Sequence, residues 1–337
     1  MTCNVLITAA SRRVPLVQAF QAALRALHVP GAVVATDVSA YSPAVHVADR
    51  AYRVPLATDP GYIDAILALC EAERISLFVP TIDDELPACG AAAEAFRRRG
   101  VFLASSSCAT ALLCDDKYTT CRELGRRGIP AAATFLPSEL PSDPPFPLFI
   151  KPRSGRGAVG AHAVRSAREL AFFLDYVESP IVQEYLDGPE YTIDVLCDLA
   201  GRPLSIVPRE RVVIRAGVID RGRTVKAPAL IELADRVCAA VPFVGPLNIQ
   251  CRMRGGVAAV FEINPRFSGG IPLTIAAGAD FTAMLIAMAR GGTVAPRIGD
   301  FRDDLWIAKF ESAIFVPGSG LELPEAPVSR LAVGEVA

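Results

Sequence analysis

The first hundred residues alternate short apolar runs with helical repeats, and no other feature restricts the fold as much. "NVLITAA" is a continuous apolar run ending in small residues. Leu16, Phe20, Leu24 and Leu27 then recur at helical spacing before "GAVVATD" reads as a second strand. "YIDAILALCEAE" with "ISLFVPT", and "ELPACGAAAEAFRRRG" with "VFLASS", repeat the pattern. This alternation predicts a parallel sheet covered on both faces, with right-handed crossovers. Ligand-binding loops of such sheets lie at the carboxyl ends of the strands, here "TAASRR", "TDVSA" and "PTIDDE". Asp37 stands where a ribose-binding acid would follow the second strand of a dinucleotide fold. The first turn, "AASRR", lacks the three glycines that bring backbone close to a pyrophosphate, which disfavours a nicotinamide site. Arg12 and Arg13 are left as an anion site, as solvated side chains, or as partners of "DDE".

A chain of 337 residues is too long for one ordinary core and predicts two or three domains. At 52% hydrophobic and 21% charged it can bury a sizeable interior. Lys and Arg total 34 against 36 Asp and Glu, a net charge of −2, which argues against a nucleic-acid partner. No apolar run reaches the about 20 residues of a membrane span. No basic stretch precedes the first apolar segment, so a secretory leader is not expected. The nine cysteines form no CxxC pairs, and Cys3, Cys70, Cys197 and Cys238 read as buried thiols of a reducing cytoplasm. His28, His46 and His162 are scattered and read as structural or exposed.

From about Ala111 the texture changes. "DDKYTTCRELGRRGIP" predicts a helix that starts at an acidic cap and ends at Gly128. After a proline-rich linker, "LFIKPRSGRGAVGAHAV" reads as a hairpin around a glycine-rich turn. A helix around Ala167 to Val177 follows, then two strands in "PIVQEYLDGPEYTIDVLCD". Basic residues Arg209, Arg211, Arg215, Arg221, Arg223 and Lys226 run through a further hairpin. "GPLNIQCRMR" and "GVAAVFEINPR" flank Gly255 and Gly256, a turn pair for antiparallel strands.

That last hairpin carries the chemistry. Arg254 should face Val257, and Gln250 should lie near Glu262 after a one-residue slip. Glu262, Asn264 and Arg266 are two apart and share a face, while Phe261, Ile263 and Phe267 supply a packed opposite face. Gln250, Glu262 and Asn264 form an oxygen-rich patch suited to Mg²⁺, which keeps waters and takes phosphate oxygens as further ligands. Arg266 could neutralise a transferring phosphoryl group. Lys151 ends a buried strand, where it could hold α- and β-phosphates while Gly155, Gly157 and Gly160 close over them. Glu190 could accept ribose hydroxyls. The alternatives are an ordinary hairpin turn, and surface carboxylates at Glu184 and Glu190.

Taken together and in this order, "DDKYTT", "FIKPRSGRGAVG", "VQEYLDGPEYTIDV", "NIQCRM" and "FEINPRFSGG" resemble the ATP-grasp superfamily. The likeness runs from about Ala111 to Arg290. It is nearest to stand-alone proteins similar to the carbamoyl-phosphate synthase large chain and to carboxylate–amine ligases. The resemblance implies a mixed α/β and α+β chain: a Rossmann-like pre-ATP-grasp domain over 1–110, ATP-grasp lobes over 111–185 and 186–315, and a tail over 316–337 of unassigned role. It implies ATP with Mg²⁺, two ions being the family-like count and Mn²⁺ an acceptable replacement. Lys117 and Lys151 would contact phosphates. Glu184, Tyr185 and Leu186 would line the adenine pocket, and Glu190 would meet the ribose. Glu262 and Asn264 would ligate metal, with Gln250 in the place of the first ligand where many relatives carry an acid. Arg266 would contact the γ-phosphate. Arg209, Arg211 and Arg215 would approach the acyl phosphate or the substrate carboxylate.

The implied reaction is an ADP-forming ligation in which a carboxylate becomes an acyl phosphate and an amine displaces the phosphate. The glycine-rich turn would serve as a lid that excludes water. The partners are then a small-molecule acid and an amine, with no nucleic acid and no membrane, in a cytoplasmic protein whose family-like state is a homodimer. Two other readings stay open. One is phosphorylation of bicarbonate or carbamate, and the other is a non-catalytic ATP-binding regulator.

Overall fold

Asn4–Ile7 (β1), Val33–Asp37 (β2), Arg50–Arg53 (β3), Ile75–Val79 (β4) and Phe102–Leu103 (β5) form the expected parallel sheet, in the order β3-β2-β1-β4-β5. The computed structural model describes residues 2–215 and 217–327. Helices Val14–Ala26 (α1), Tyr62–Ala72 (α2), Leu86–Ala91 (α3) and Ala93–Arg98 (α4) lie between the strands. Leu6, Ile66, Leu69, Phe78 and Phe96 share one core. The sequence reading missed β3, because this edge strand is half solvated and "RAYR" carries no apolar signature. It also joined α3 and α4, which break at Ala92. Leu27 caps α1 rather than extending its apolar stripe and is 43% exposed.

Two buried carboxylates shape the carboxyl end of this sheet. Asp37 accepts from the Ser11 N–H through Oδ2 at 2.8 Å and from the Ser39 N–H through Oδ1 at 3.1 Å. Each oxygen ties one loop to the end of β2. Glu85 accepts from Thr8 Oγ1, the Thr81 and Ile82 N–H groups and the Tyr62 hydroxyl. Burial pushes its pKa up, against those hydrogen bonds. Arg13 donates to the Thr81 carbonyl at 2.6 Å.

Segments Thr282–Val294 and, among the described residues, those from Ser312 on belong to the same compact unit as the sheet. The helix Phe281–Ala289 meets α1 through Thr282 Oγ1 and the Ala19 carbonyl. In the tail, the Pro324 carbonyl and Ala326 N–H pair with the backbone of Arg53, extending the sheet beyond β3. Residues 328–337 of the tail lie outside the described residues.

The second compact unit comprises Ser106–Phe281 and Ala295–Glu311. Its first helices are Cys108–Asp115 (α5) and Lys117–Arg126 (α6). Asp116 caps α6 by accepting from the Thr119 N–H at 3.1 Å, and Gly128 ends the turn with a φ of 69°. Thr134–Phe135 (β6), Leu148–Pro152 (β7), His162–Val164 (β8) and Pro180–Glu184 (β9) form a sheet ordered β6-β9-β7-β8, with helix Ala167–Tyr176 (α7) after β8. Glu190–Cys197 (β10), Pro203–Arg215 (β11), Val218–Thr224 (β12), Gly245–Arg254 (β13), Val257–Asn264 (β14) and Trp306–Ala308 (β15) form an antiparallel sheet ordered β14-β13-β10-β11-β12-β15. Helices Pro228–Ala240 (α8) and Ile271–Ala276 (α9) complete the unit.

The six-stranded sheet buries one face. Ile193, Val195, Ile206, Leu247, Ile249 and Ile263 pack with Leu233, Ala234 and Val237 of α8 and Leu124 of α6. Each of these Leu, Ile and Val side chains stabilises the fold by about 1.5–3 kcal/mol. Alternation along each strand then directs the polar residues between them to the other face. Among the described residues, no helix is long and apolar enough to cross a membrane.

Candidate functional site

The β13–β14 hairpin closes through Gly255 and Gly256 at φ of 54° and 86°, a turn that puts Arg254 opposite Val257. The register then slips once between Gln250 and Cys251, so that Gln250 pairs with Glu262 and Phe261 is the extra residue of a β-bulge. Asn248 pairs with Asn264. On the neighbouring strand Glu190 pairs with Arg252, Thr192 with Gln250 and Arg209, and Asp194 with Asn248. Four adjacent strands therefore present Glu262, Asn264, Asn248, Gln250, Arg252, Glu190, Thr192, Asp194, Arg209 and Arg211 on one polar face.

Lys151, at the end of β7, reaches this face from the smaller sheet. Its Nζ donates to the Phe261 carbonyl at 3.1 Å and lies 5.1 Å from the Phe261 ring centroid. The bulge residue thus serves the lysine. Burial lowers the Lys151 pKa, and the nearby Glu262 carboxylate opposes that shift. Lys117, at the start of α6, is also buried and donates to the Gly155 carbonyl at 2.6 Å. Both ammonium groups are met by neutral carbonyls, so their charge remains for an anionic ligand. Gly155, Gly157 and Gly160 take φ of 106°, 72° and 69°, conformations that glycine adopts without strain. Arg153 anchors the start of that turn by a two-point pair with Asp116, at 2.9 and 2.6 Å.

The carboxylates differ in how free they are. Glu190 accepts from Arg211 and, at 2.9 and 2.6 Å, from Arg252. Glu184 accepts from the Ala133 N–H at 2.8 Å and from Arg254. Glu262 Oε1 accepts a neutral amide N–H, that of Asn264 at 3.1 Å. Gln250 Oε1 faces Arg211 at 3.3 Å, and Asn264 Oδ1 accepts from Arg266 at 3.0 Å. The strand ends at Asn264, so Arg266 sits in the bend beyond it but stays beside the same face. Leu186 joins Ala132, Ala259 and Phe261 in a small apolar cluster, with Tyr185 37% exposed beside it in the chain.

Arg209 and Arg215 stand apart from the rest. Arg209 is sealed at 1% exposure and paired with Asp194. Arg215 lies near the hairpin tip, 67% exposed, within 3.5 Å of Glu311 and 4.0 Å of Asp220. Sequence reasoning missed Arg252, Asn248, Asp194 and Ser268, which support the candidate site by holding Glu190, Arg209 and the segment after β14. The strict polar alternation Asn248, Gln250, Arg252, Arg254 was available to find the first two.

Residues 177–313 match the family described as "ATP-grasp in the biosynthetic pathway with Ter operon", and residues 5–104 match "PylC-like, N-terminal domain". The chain carries an ATP-grasp domain. The arginine-specific large chain of carbamoyl phosphate synthase from Bacillus subtilis is 26% identical over 247 residues, covering 67% of this chain and 23% of that protein. The chain therefore spans about a quarter of that relative's length. Among solved structures, biotin carboxylase from Campylobacter jejuni in its β-γ-ATP complex aligns at a TM-score of 0.70 and 14% identity, over 90% of this chain and 74% of that one. An L-amino acid ligase from Bacillus licheniformis aligns at 0.68 and 18% identity, over 90% and 78%. These likenesses establish the fold: a parallel-sheet N-terminal domain followed by the ATP-grasp architecture.

The donor set of the ATP-grasp domain suits one particular kind of metal site. Among the described residues no three His, Cys, Asp or Glu side chains converge. Gln250, Glu262 and Asn264 offer one carboxylate and two amide oxygens, while Glu190 is committed to its arginines. Hard oxygen donors with little charge fit Mg²⁺ that arrives with a nucleotide and completes its shell with phosphate oxygens and water.

Proposed function

We propose that this chain is an ATP-dependent ligase that activates a small carboxylate as an acyl phosphate and joins it to an amine, releasing ADP and phosphate. One observation carries the reading. Lys117, Lys151, Glu262, Asn264 and Arg266 converge in one unit, and both lysines are capped by carbonyls rather than by carboxylates.

Lys117 and Lys151 hold the phosphates. Arg266 would face the γ-phosphate, and Gln250, Glu262 and Asn264 would hold Mg²⁺ (one or two ions, replaceable by Mn²⁺), whose charge would screen the repulsion between the phosphates and the attacking carboxylate. Leu186 and Tyr185 line the adenine pocket beside the backbone of Glu184. Glu190 meets the ribose with lone pairs left over from Arg211 and Arg252. The carboxylate oxygen attacks the γ-phosphorus as the bond to ADP breaks. The amine then attacks the acyl carbon, phosphate departs, and the amine proton is lost to water. The chain contributes charge and alignment rather than a nucleophile. The turn carrying Gly155, Gly157 and Gly160 covers the intermediate and keeps water from it.

The test is ADP release on addition of mixed amino acids with mixed amines, run beside Lys151→Met and Glu262→Gln. Release that needs both classes and vanishes in both variants supports the reading. A second reading draws on the carbamoyl phosphate synthase relatives: phosphorylation of bicarbonate or carbamate. ADP release stimulated by bicarbonate alone favours that reading. Tight nucleotide binding without turnover under any mixture favours a regulator.

A further inference from the structure

Arg209 was expected at the substrate, yet its surroundings suit a different task. Its Nε and Nη2 donate to Asp194 Oδ2 and Oδ1 at 2.7 and 3.0 Å, with both side chains 1% exposed. Nη2 also donates to Ser268 Oγ at 2.9 Å, and that hydroxyl accepts from the Gly270 N–H at 3.2 Å. Thr274 Oγ1 of α9 donates to Asp194 Oδ2 at 2.5 Å. One guanidinium therefore ties β10 and β11 to the segment that begins with Arg266 and runs into α9. Asn248 secures the other end of the segment through the carbonyls of Asn264 and Arg266, at 3.3 and 3.0 Å.

The remaining nitrogen is the informative one. Among the described residues, Arg209 Nη1 and Thr36 Oγ1 are the buried side-chain nitrogen or oxygen atoms without a hydrogen-bond partner. Nη1 lies against Gly270: a Cβ added there would stand 2.2 Å from it and 2.8 Å from Ile219 Cγ2. A buried N–H without an acceptor is costly, and it persists only where the surrounding contacts over-determine the geometry. Reaching a ligand would require Arg209 to abandon Asp194 and leave a buried charge unpaired, which is costlier still.

We propose that Arg209 is a positioning residue. It fixes segment 266–270 through Ser268 and the bare Cα of Gly270, so that Arg266 is presented in one place, and it does not itself touch substrate. The proposal rests on the ligase reading only in assigning Arg266 to the γ-phosphate.

The test uses the full chain with Ser268→Ala, Gly270→Ala, Arg266→Ala and the double variant S268A/R266A. Two quantities are read: amide hydrogen exchange across 264–271, and the ratio of affinities for a non-hydrolysable Mg·ATP analogue and Mg·ADP. Both S268A and G270A should speed exchange at 266–270 and cut the preference for the analogue by about tenfold, leaving ADP affinity unchanged. Ser268→Thr, which keeps the hydroxyl, should restore both. S268A should add nothing in the R266A background. Unchanged exchange in S268A and G270A overturns the proposal. So does faster exchange with an unmoved preference while R266A does move it. If R266A leaves the preference unmoved, the γ-phosphate assignment fails, and exchange alone decides the positioning claim.

Discussion

Replacing Lys151 by methionine should separate stability from nucleotide affinity. The ammonium is buried and keeps one carbonyl hydrogen bond, to Phe261, at 3.1 Å. Such a bond contributes about 1.5–3 kcal/mol. Against it stands the desolvation of a charge, several kcal/mol after relaxation, offset only in part by Glu262. The lowered pKa gives the sign of the balance: burial outweighs the attraction, and the folded protein disfavours this charge. Methionine matches the stem and removes the charge, so Lys151→Met should leave the unfolding free energy unchanged or raise it by about 1–3 kcal/mol. Affinity for Mg·ADP should meanwhile fall about 10- to 100-fold, as a charge-assisted phosphate contact is lost. Urea denaturation and isothermal titration calorimetry measure the two effects. A variant destabilised by more than about 2 kcal/mol that binds ADP normally would make Lys151 a structural partner of Glu262 and not a phosphate ligand.

The same lysine predicts a pH dependence. Its folded pKa lies below the 10.5 of the unfolded chain, so between those values the unfolded chain binds more protons. Stability should therefore rise with pH across that window, while nucleotide affinity falls with an apparent pKa below 10.5; Lys151→Arg should abolish the fall, as calorimetry at stepped pH will show. Asp116→Ala removes the α6 cap and the partner of Arg153 and should cost about 1 kcal/mol, read by urea denaturation. Burial alone would raise the Asp116 pKa, but hydrogen bonds from Arg153 and Thr119 win and hold it at about 2, so its contribution should fade as pH drops from 3.8 through about 2. Glu190→Gln leaves Arg211 and Arg252 without a counter-charge and should destabilise by about 3 kcal/mol, whereas a loss under about 1 would remove Glu190 as their shared anchor. Gly188→Ala would set a Cβ 2.3 Å from the Met253 carbonyl oxygen and should cost about 1–3 kcal/mol in the same denaturation assay.

Much of this architecture was legible because burial leaves a periodic trace. The mainly apolar runs of β1, β2 and β4 announced a two-sided parallel sheet, and the Gly255–Gly256 turn announced the hairpin. The one-residue slip that sets Gln250 opposite Glu262 was expected and is present. Two edge strands were illegible, each for its own reason: β3 is half solvated and "RAYR" carries no apolar pattern, while β15 is three residues, too short to show a period. Periodicity also says nothing about partners across strands. The Phe261 carbonyl that meets Lys151 depends on the bulge, and the double hold on Glu190 depends on Arg211 and Arg252 arriving from two different strands. The order of motifs therefore pointed to the chemistry, while the supporting contacts needed the register.

In the proposed reaction a carboxylate attacks the γ-phosphate. The direct measurement is ³¹P NMR of the phosphate released when the chain turns over Mg·ATP with amino acids carrying ¹⁸O in their carboxylates and a mixture of unlabelled amines. The expected products are ADP and phosphate that carries one ¹⁸O from the acid. Unlabelled phosphate released alongside an amide product, or AMP in place of ADP, would contradict that attack.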